Sequence, residues 1–130
     1  MKRIILLMSL ISFGVLAQKP KLNELKDAKN HAGCYVLKGN NGTIANLSET
    51  DEQGNDVAIF NLTGKDEYFK VIKGTKYYPM AFSNEKYQIY VHQRFLKKER
   101  GTCLDYYRYN IKVVFQGKSY FYQYKGFCGC

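Results

Sequence analysis

The sequence predicts a mainly β domain, a small antiparallel sandwich or barrel of about seven strands with a short N-terminal helix, stabilised by disulfides. Three observations lead to this fold class. Apolar and polar residues alternate along several segments, turn-forming residues separate these segments at short intervals, and no long helical pattern lies between them. Because parallel strands need helical crossovers, this pattern favours antiparallel pairing.

The chain begins with a segment typical of a secretory signal peptide. A basic start, Met1-Lys2-Arg3, is followed by an uncharged apolar run that ends in Val15-Leu16-Ala17. This run is shorter than the roughly 20 residues that cross a bilayer as a helix. We therefore predict that residues 1–17 are removed on export. Residues 18–130 would then form a single secreted or periplasmic β domain with no transmembrane segment.

Residues 21–31 have the spacing of a short amphipathic helix. Leu22, Leu25 and Ala28 recur every three residues, and Gly33 follows as a stop signal. We expect this helix to lead into the domain and to need tertiary packing for its stability.

Four strands are predicted in the first half of the domain, at residues 34–38, 43–47, 57–62 and 67–73. Turn-forming segments rich in glycine, asparagine and aspartate separate them. The second and third of these strands are expected to pair across the polar loop at residues 51–55.

Three further strands are predicted in the second half, at residues 86–96, 104–115 and 119–125. The first two alternate clearly, so that each has one apolar and one polar face. The apolar faces comprise Tyr87, Ile89, Val91 and Phe95 on the first strand, and Tyr107, Tyr109, Ile111, Val113 and Phe115 on the second.

The chain contains twelve tyrosines and no tryptophan. A tyrosine can pack its ring in a thin core while its hydroxyl reaches water at the rim. We therefore expect many of the tyrosines to be half-buried.

The four cysteines, Cys34, Cys103, Cys128 and Cys130, are expected to form disulfides in an oxidising compartment. A bond between Cys128 and Cys130 would close a strained ring, so the two arrangements that tie this pair back to Cys34 and Cys103 are favoured, and the sequence leaves both open. The spacing does not fit a four-thiolate zinc site. A reducible Cys128–Cys130 pair is the redox alternative.

No catalytic, metal or cofactor site is predicted. His31 lies at the end of the predicted helix, and His92 lies on the polar face of a strand without a nucleophile or metal motif around it. Most carboxylates lie in predicted turns, and the loop at residues 51–55 is interpreted as a hairpin connection rather than a calcium loop. Asn41, Asn46 and Asn61 begin glycosylation acceptor patterns, which matter only in a host that glycosylates.

The polar face of the two long strands is the candidate binding site. If residues 86–96 and 104–115 pair, their outward side chains become neighbours. Aromatic rings beside cations suit stacking on sugar or base faces and contact with anionic groups. The predicted binding residues are Tyr90, His92, Arg94, Tyr106, Arg108 and Lys112.

The formal net charge of +9 favours anionic partners. We interpret the chain as an exported, non-enzymatic binding or structural module whose partner is an anionic polymer, such as a glycan, or another protein. Nucleic acid is compatible with the charge, but no motif supports it. A thiol-disulfide redox protein that uses the C-terminal Cys-Gly-Cys, and an inhibitor of a secreted hydrolase, are the alternatives.

The C-terminal segment carries a limited resemblance to a known group of proteins. Cys103-Leu104-Asp105, Gly117 and Gly126-Phe127-Cys128-Gly129 resemble a pattern of small periplasmic β-barrel proteins that include lysozyme-inhibitor-like domains. The resemblance covers under a quarter of the chain, the spacing after Gly117 is longer here, and no inhibitory motif is matched.

Overall fold

A computed structural model describes residues 19–28, 33–39 and 42–129. Its eight strands form one closed barrel in chain order. The strands are β1 (Gly33–Lys38), β2 (Gly42–Thr50), β3 (Asp56–Phe60), β4 (Glu67–Lys73), β5 (Met80–Ser83), β6 (Tyr87–Lys98), β7 (Asp105–Phe115) and β8 (Lys118–Gly129).

Every strand pairs antiparallel with the next one, and β8 pairs with β1 to close the ring. The predicted antiparallel β class is therefore confirmed, and of the two predicted architectures the barrel is the one that forms. The hairpin between the second and third predicted strands and the pairing of the two long strands are also confirmed. Closure satisfies the backbone groups that an open sheet would leave at its edges.

The structure contains one strand more than the seven predicted, and this additional strand is β5. It has only four residues and directly follows Pro79, which removes a backbone donor and lowers the strand signal. Its pairing with β4 and β6 supplies the stability that so short a segment lacks by itself.

The predicted N-terminal helix does not form in the residues of this segment that the structure describes, so this prediction is wrong there. Residues 21–28 contain no helix, and Asn23 instead pairs with Asn61 as an isolated β-bridge. Leu22 is buried in the barrel core, and the Leu25 amide donates to the Thr43 carbonyl at 2.7 Å. The apolar spacing that predicted a helix thus serves an extended segment, because contacts with the barrel outweigh a marginal local helix.

This segment covers one end of the barrel. The Tyr122 hydroxyl donates to the Pro20 carbonyl, and the amides of Lys26 and Asp27 donate to the Asp66 carboxylate at 2.8 and 2.9 Å. The remainder of the predicted helix, including His31, and the predicted signal peptide at residues 1–17 lie outside the described residues, so the signal peptide stays a prediction.

The barrel interior is filled by apolar side chains. Phe60 packs edge-on against Phe69 with ring centroids 5.2 Å apart, and Phe82 lies 6.0 Å from Phe60. An eight-stranded barrel is just wide enough either to be filled by its own side chains or to hold one small ligand. Here the central residues, among them Val36, Ile44, Ala58, Phe60, Phe69, Ile89, Val91, Tyr109 and Val113, are completely excluded from solvent.

Two of the asparagines in glycosylation patterns are structural. Asn46 and Asn61 are buried, with 4% and 2% of their surfaces exposed. The Asn46 amide nitrogen donates to Glu49, and that of Asn61 donates to the Glu24 carbonyl. Neither nitrogen is accessible for a glycan in the folded state, and Asn41 lies outside the described residues.

Tyrosines occupy both the core and the surface. Tyr35 and Tyr109 are buried almost completely, Tyr87 is 7% exposed, and Tyr77 is 74% exposed. The expected half-burial therefore describes only part of the set, which includes Tyr107, Tyr122 and Tyr124 at the margin of the core.

We expect the protein to lose stability when the pH rises above about 10, the ordinary pKa of tyrosine. Burial raises the pKa of Tyr109, Tyr87 and Tyr122 above that value. The folded state then keeps protons that the unfolded chain releases, so the free energy of unfolding falls with rising pH. Urea unfolding at about pH 9 and pH 11 measures the change, and Tyr109→Phe, which lacks the titrating hydroxyl, should show a smaller fall. An equal fall in both proteins would contradict this assignment.

A disulfide between Cys34 and Cys128 joins β1 to β8. These residues lie directly opposite each other in the seam that closes the barrel. Cys103 is also disulfide-bonded, and Cys130 lies outside the described residues. Among the described cysteines none is a free thiol, which agrees with the predicted oxidised state and with one of the two favoured arrangements for Cys128.

Candidate functional site

The candidate site is the outer face of β6, β7 and β8, the three longest strands. Their registers align outward side chains in rows across the three strands. Successive rows are separated by two residues, or about 6.7 Å along a strand.

One row consists of three cations. Arg94 lies opposite Arg108, and Arg108 lies opposite Lys125. Like charges directly opposite each other on neighbouring strands destabilise a sheet. The register places the three cations side by side with no carboxylate between them. We call these residues the cation row.

The next row is polar and contains no Lys, Arg, Asp or Glu. It contains His92, Asn110 and Gln123, which lie opposite one another in the register. The Gln123 amide nitrogen donates to the Asn110 side-chain oxygen at 2.8 Å. This bond orients both amides. It leaves the Asn110 nitrogen and the Gln123 oxygen available for hydrogen bonds to a ligand. We call this set the amide row.

The third row is aromatic. It contains Tyr90, Lys112 and Phe121. The Lys112 ammonium lies 4.6 Å from the ring centroid of Tyr90 and 4.9 Å from that of Tyr78, which belongs to the β4–β5 loop. The two tyrosine rings are 6.1 Å apart at a steep angle. These contacts hold the loop against the sheet and partly satisfy the Lys112 charge.

A shallow groove of about 710 Å³ lies over the amide row. His92, Asn110 and Gln123 line its floor, and Tyr77 and Phe121 stand at its margins. These two rings are 74% and 66% exposed. Because large apolar side chains exposed together mark interaction sites more often than chance surface, the groove is a candidate ligand site.

Tyr106 occupies the far end of the same face. Its hydroxyl donates to Glu99 at 3.1 Å, and this bond raises the pKa of Tyr106. A bulge between Phe95 and Lys97 shifts the register, so that Tyr106 lies opposite Lys97, whose ammonium is 5.2 Å from the Tyr106 ring. Tyr106 is therefore engaged by the β6–β7 hairpin tip.

The structure brings five of the six predicted residues together: Arg94 and Arg108 in the cation row, His92 in the amide row, and Tyr90 and Lys112 in the aromatic row. Sequence reasoning missed several neighbours. Alternation along β8 would have placed Phe121, Gln123 and Lys125 on this face. Tyr77 and Tyr78 come from a loop, and no periodic signal identifies them.

The described ranges hold no cluster of metal-binding side chains. No group of three or more His, Cys, Asp or Glu side chains there could hold a metal ion. The loop at residues 51–55 is a hairpin connection, in which the Asp51 carboxylate accepts from the amides of Gln53 and Asn55. The bond from Asn55 lowers the pKa of Asp51.

The chain matches no family model, and no curated protein or solved structure is significantly similar to it. The resemblance of the C-terminal segment to lysozyme-inhibitor-like domains therefore stays a prediction. The part of the chain that the structure describes contains no helix long and apolar enough to span a membrane.

Proposed function

We propose that this protein is an exported, non-enzymatic binding module that recognises an anionic polymer through the outer face of β6–β8. The observation that carries the proposal is the cation row, in which Arg94, Arg108 and Lys125 face solvent side by side. An anionic ligand would neutralise charges that the folded protein brings together at a cost. Attraction to such a ligand supplies affinity and a fast encounter rate.

The barrel interior also favours an external site. Side chains such as Phe60, Phe69 and Tyr109 fill the centre of the barrel. The groove and the cation row lie together on the outside. A ligand that is longer than one side chain and carries several charges fits an extended open face better than a filled core.

The redox alternative depended on a Cys128–Cys130 disulfide. The bond between Cys128 and Cys34 favours the binding module over this alternative. A protein partner or a secreted hydrolase that docks on the same face is a competing outcome of the binding test.

We expect the triple variant Arg94→Gln, Arg108→Gln, Lys125→Gln to bind inorganic polyphosphate and heparin at least tenfold more weakly than the native protein. The same variant should be more stable, by about 0.5–1 kcal/mol, because neighbouring like charges are removed. Retention on heparin at increasing salt and urea unfolding measure the two effects.

The matched control removes equal charge from the opposite side of the barrel. Lys26→Gln, Lys65→Gln, Lys70→Gln changes three exposed lysines that lie in the N-terminal segment, the β3–β4 loop and β4. This control should keep most of the binding. Equal losses in the two triple variants would show that net charge, and not the cation row, governs retention, and would overturn the proposal.

A further inference from the structure

We propose that the ligand is an acidic polysaccharide in which charged and uncharged sugars alternate, with an uncharged ring in the groove and an acid group on the cation row. This inference rests on the function proposed above and assigns it a substrate class. It follows from the order of the three rows on the face.

The site for a ring and the site for a charged group lie apart along the strands. Phe121 and Lys125 are four residues apart on β8, and Gln123 lies between them. At about 3.4 Å per residue, the aromatic row and the cation row are roughly 14 Å apart. The groove extends from the aromatic row over the amide row, so a ligand that occupies both the groove and the cation row needs a ring unit and an acid group roughly 7–14 Å apart.

The side chains that line the groove suit a sugar ring. One face of a pyranose ring carries C–H groups and is apolar, whereas the edge of the ring carries hydroxyls. Tyr77 and Phe121 present exposed aromatic surface at the groove margins. The floor offers the Asn110 nitrogen, the Gln123 oxygen and the His92 imidazole, a mixture of donors and acceptors that matches hydroxyl groups.

The placement of the cations favours a polysaccharide over a single-stranded nucleic acid. Grooves that bind single strands place cations along the backbone beside successive stacked bases. Here the ammonium of Lys112, the cation of the aromatic row, lies 4.9 and 4.6 Å from the ring centroids of Tyr78 and Tyr90. The amide row carries no Lys or Arg. Lys and Arg side chains that are free of aromatic contacts therefore meet the ligand at the cation row, away from the ring site, as a polymer with both charged and uncharged sugars would require.

The test uses the full mature chain and three polyanions: hyaluronan, which has one carboxylate in every second sugar, inorganic polyphosphate, which has charge without rings, and oligothymidylate. The variant Tyr77→Ala, Phe121→Ala removes the two exposed rings, and Tyr68→Ala is the control, since Tyr68 is 57% exposed on β4. Calorimetry or fluorescence titration measures each affinity.

We expect the ring variant to lose about tenfold or more in affinity for hyaluronan and to keep its affinity for polyphosphate, while Tyr68→Ala changes neither. Unchanged hyaluronan binding in the ring variant would overturn the inference. Tighter binding of oligothymidylate that depends on the same rings would also overturn it.

If the native protein binds polyphosphate through the cation row but does not bind hyaluronan, the polysaccharide inference fails and the proposed function stands. If it binds no polyanion, the proposed function fails with it.

Discussion

Replacing Cys34 and Cys128 together by Ser should lower the free energy of unfolding by about 4–5 kcal/mol, because the disulfide closes a loop that spans most of the chain. The two residues are 94 positions apart and join the first strand to the last. A domain of this size has a total stability of only about 5–15 kcal/mol, so the variant should unfold at much lower urea concentration or fail to accumulate.

Loss of the cross-link can be separated from loss of packing by a second variant, in which both cysteines become Ala. The Ser variant places hydroxyl groups near the core, whereas the Ala variant does not. Similar losses in both would assign the effect to the cross-link. A fall of less than about 1 kcal/mol in the Ala variant would show that strand pairing alone closes the barrel.

The second large effect is expected at Gly126, which lies in the same seam. A Cβ at this position would overlap the backbone carbonyl of Tyr35 and come within 2.7 Å of the Tyr109 ring. Tyr35 and Tyr109 are both buried, and the Tyr35 carbonyl belongs to β1, so neither can move away without disturbing the seam. We expect Gly126→Ala to destabilise the protein by about 3 kcal/mol or more, measured by urea unfolding.

The matched control is Gly129→Ala, the same substitution three residues further along β8. The added Cβ would meet only the end of the Leu104 side chain, which can rotate away. It should cost less than about 1 kcal/mol. Equal costs at the two positions would show that the general loss of glycine, and not the close approach of β1 and Tyr109, determines the effect.

The two long strands show why part of the candidate site could be predicted. Alternation is a local property of an extended chain, so it assigned Tyr90, His92, Arg94, Arg108 and Lys112 to one face before any partner strand was known. The structure places these residues in three adjoining rows. The same reasoning applied to β8 would have added Lys125, which completes the cation row.

The rest of the site depends on contacts between distant segments. Tyr78 reaches the face because Lys112, more than thirty residues later, holds its ring by a cation–π contact. The bulge between Phe95 and Lys97 changes which residue lies opposite Tyr106. Neither feature has a signal in the local pattern of apolar and polar residues.

The sequence by itself determined the β class, the turns, the two faces of the long strands and the expectation of bonded cysteines. Only the tertiary structure decided that a four-residue segment becomes a strand, that residues 21–28 extend across one end of the barrel instead of forming a helix, and that Cys34 pairs with Cys128. The reason is physical. Periodicity indicates which side chains of a segment face the core and which face solvent. Long-range contacts between residues far apart in the chain decide whether a barrel closes, whether a marginal helix forms and which cysteines pair.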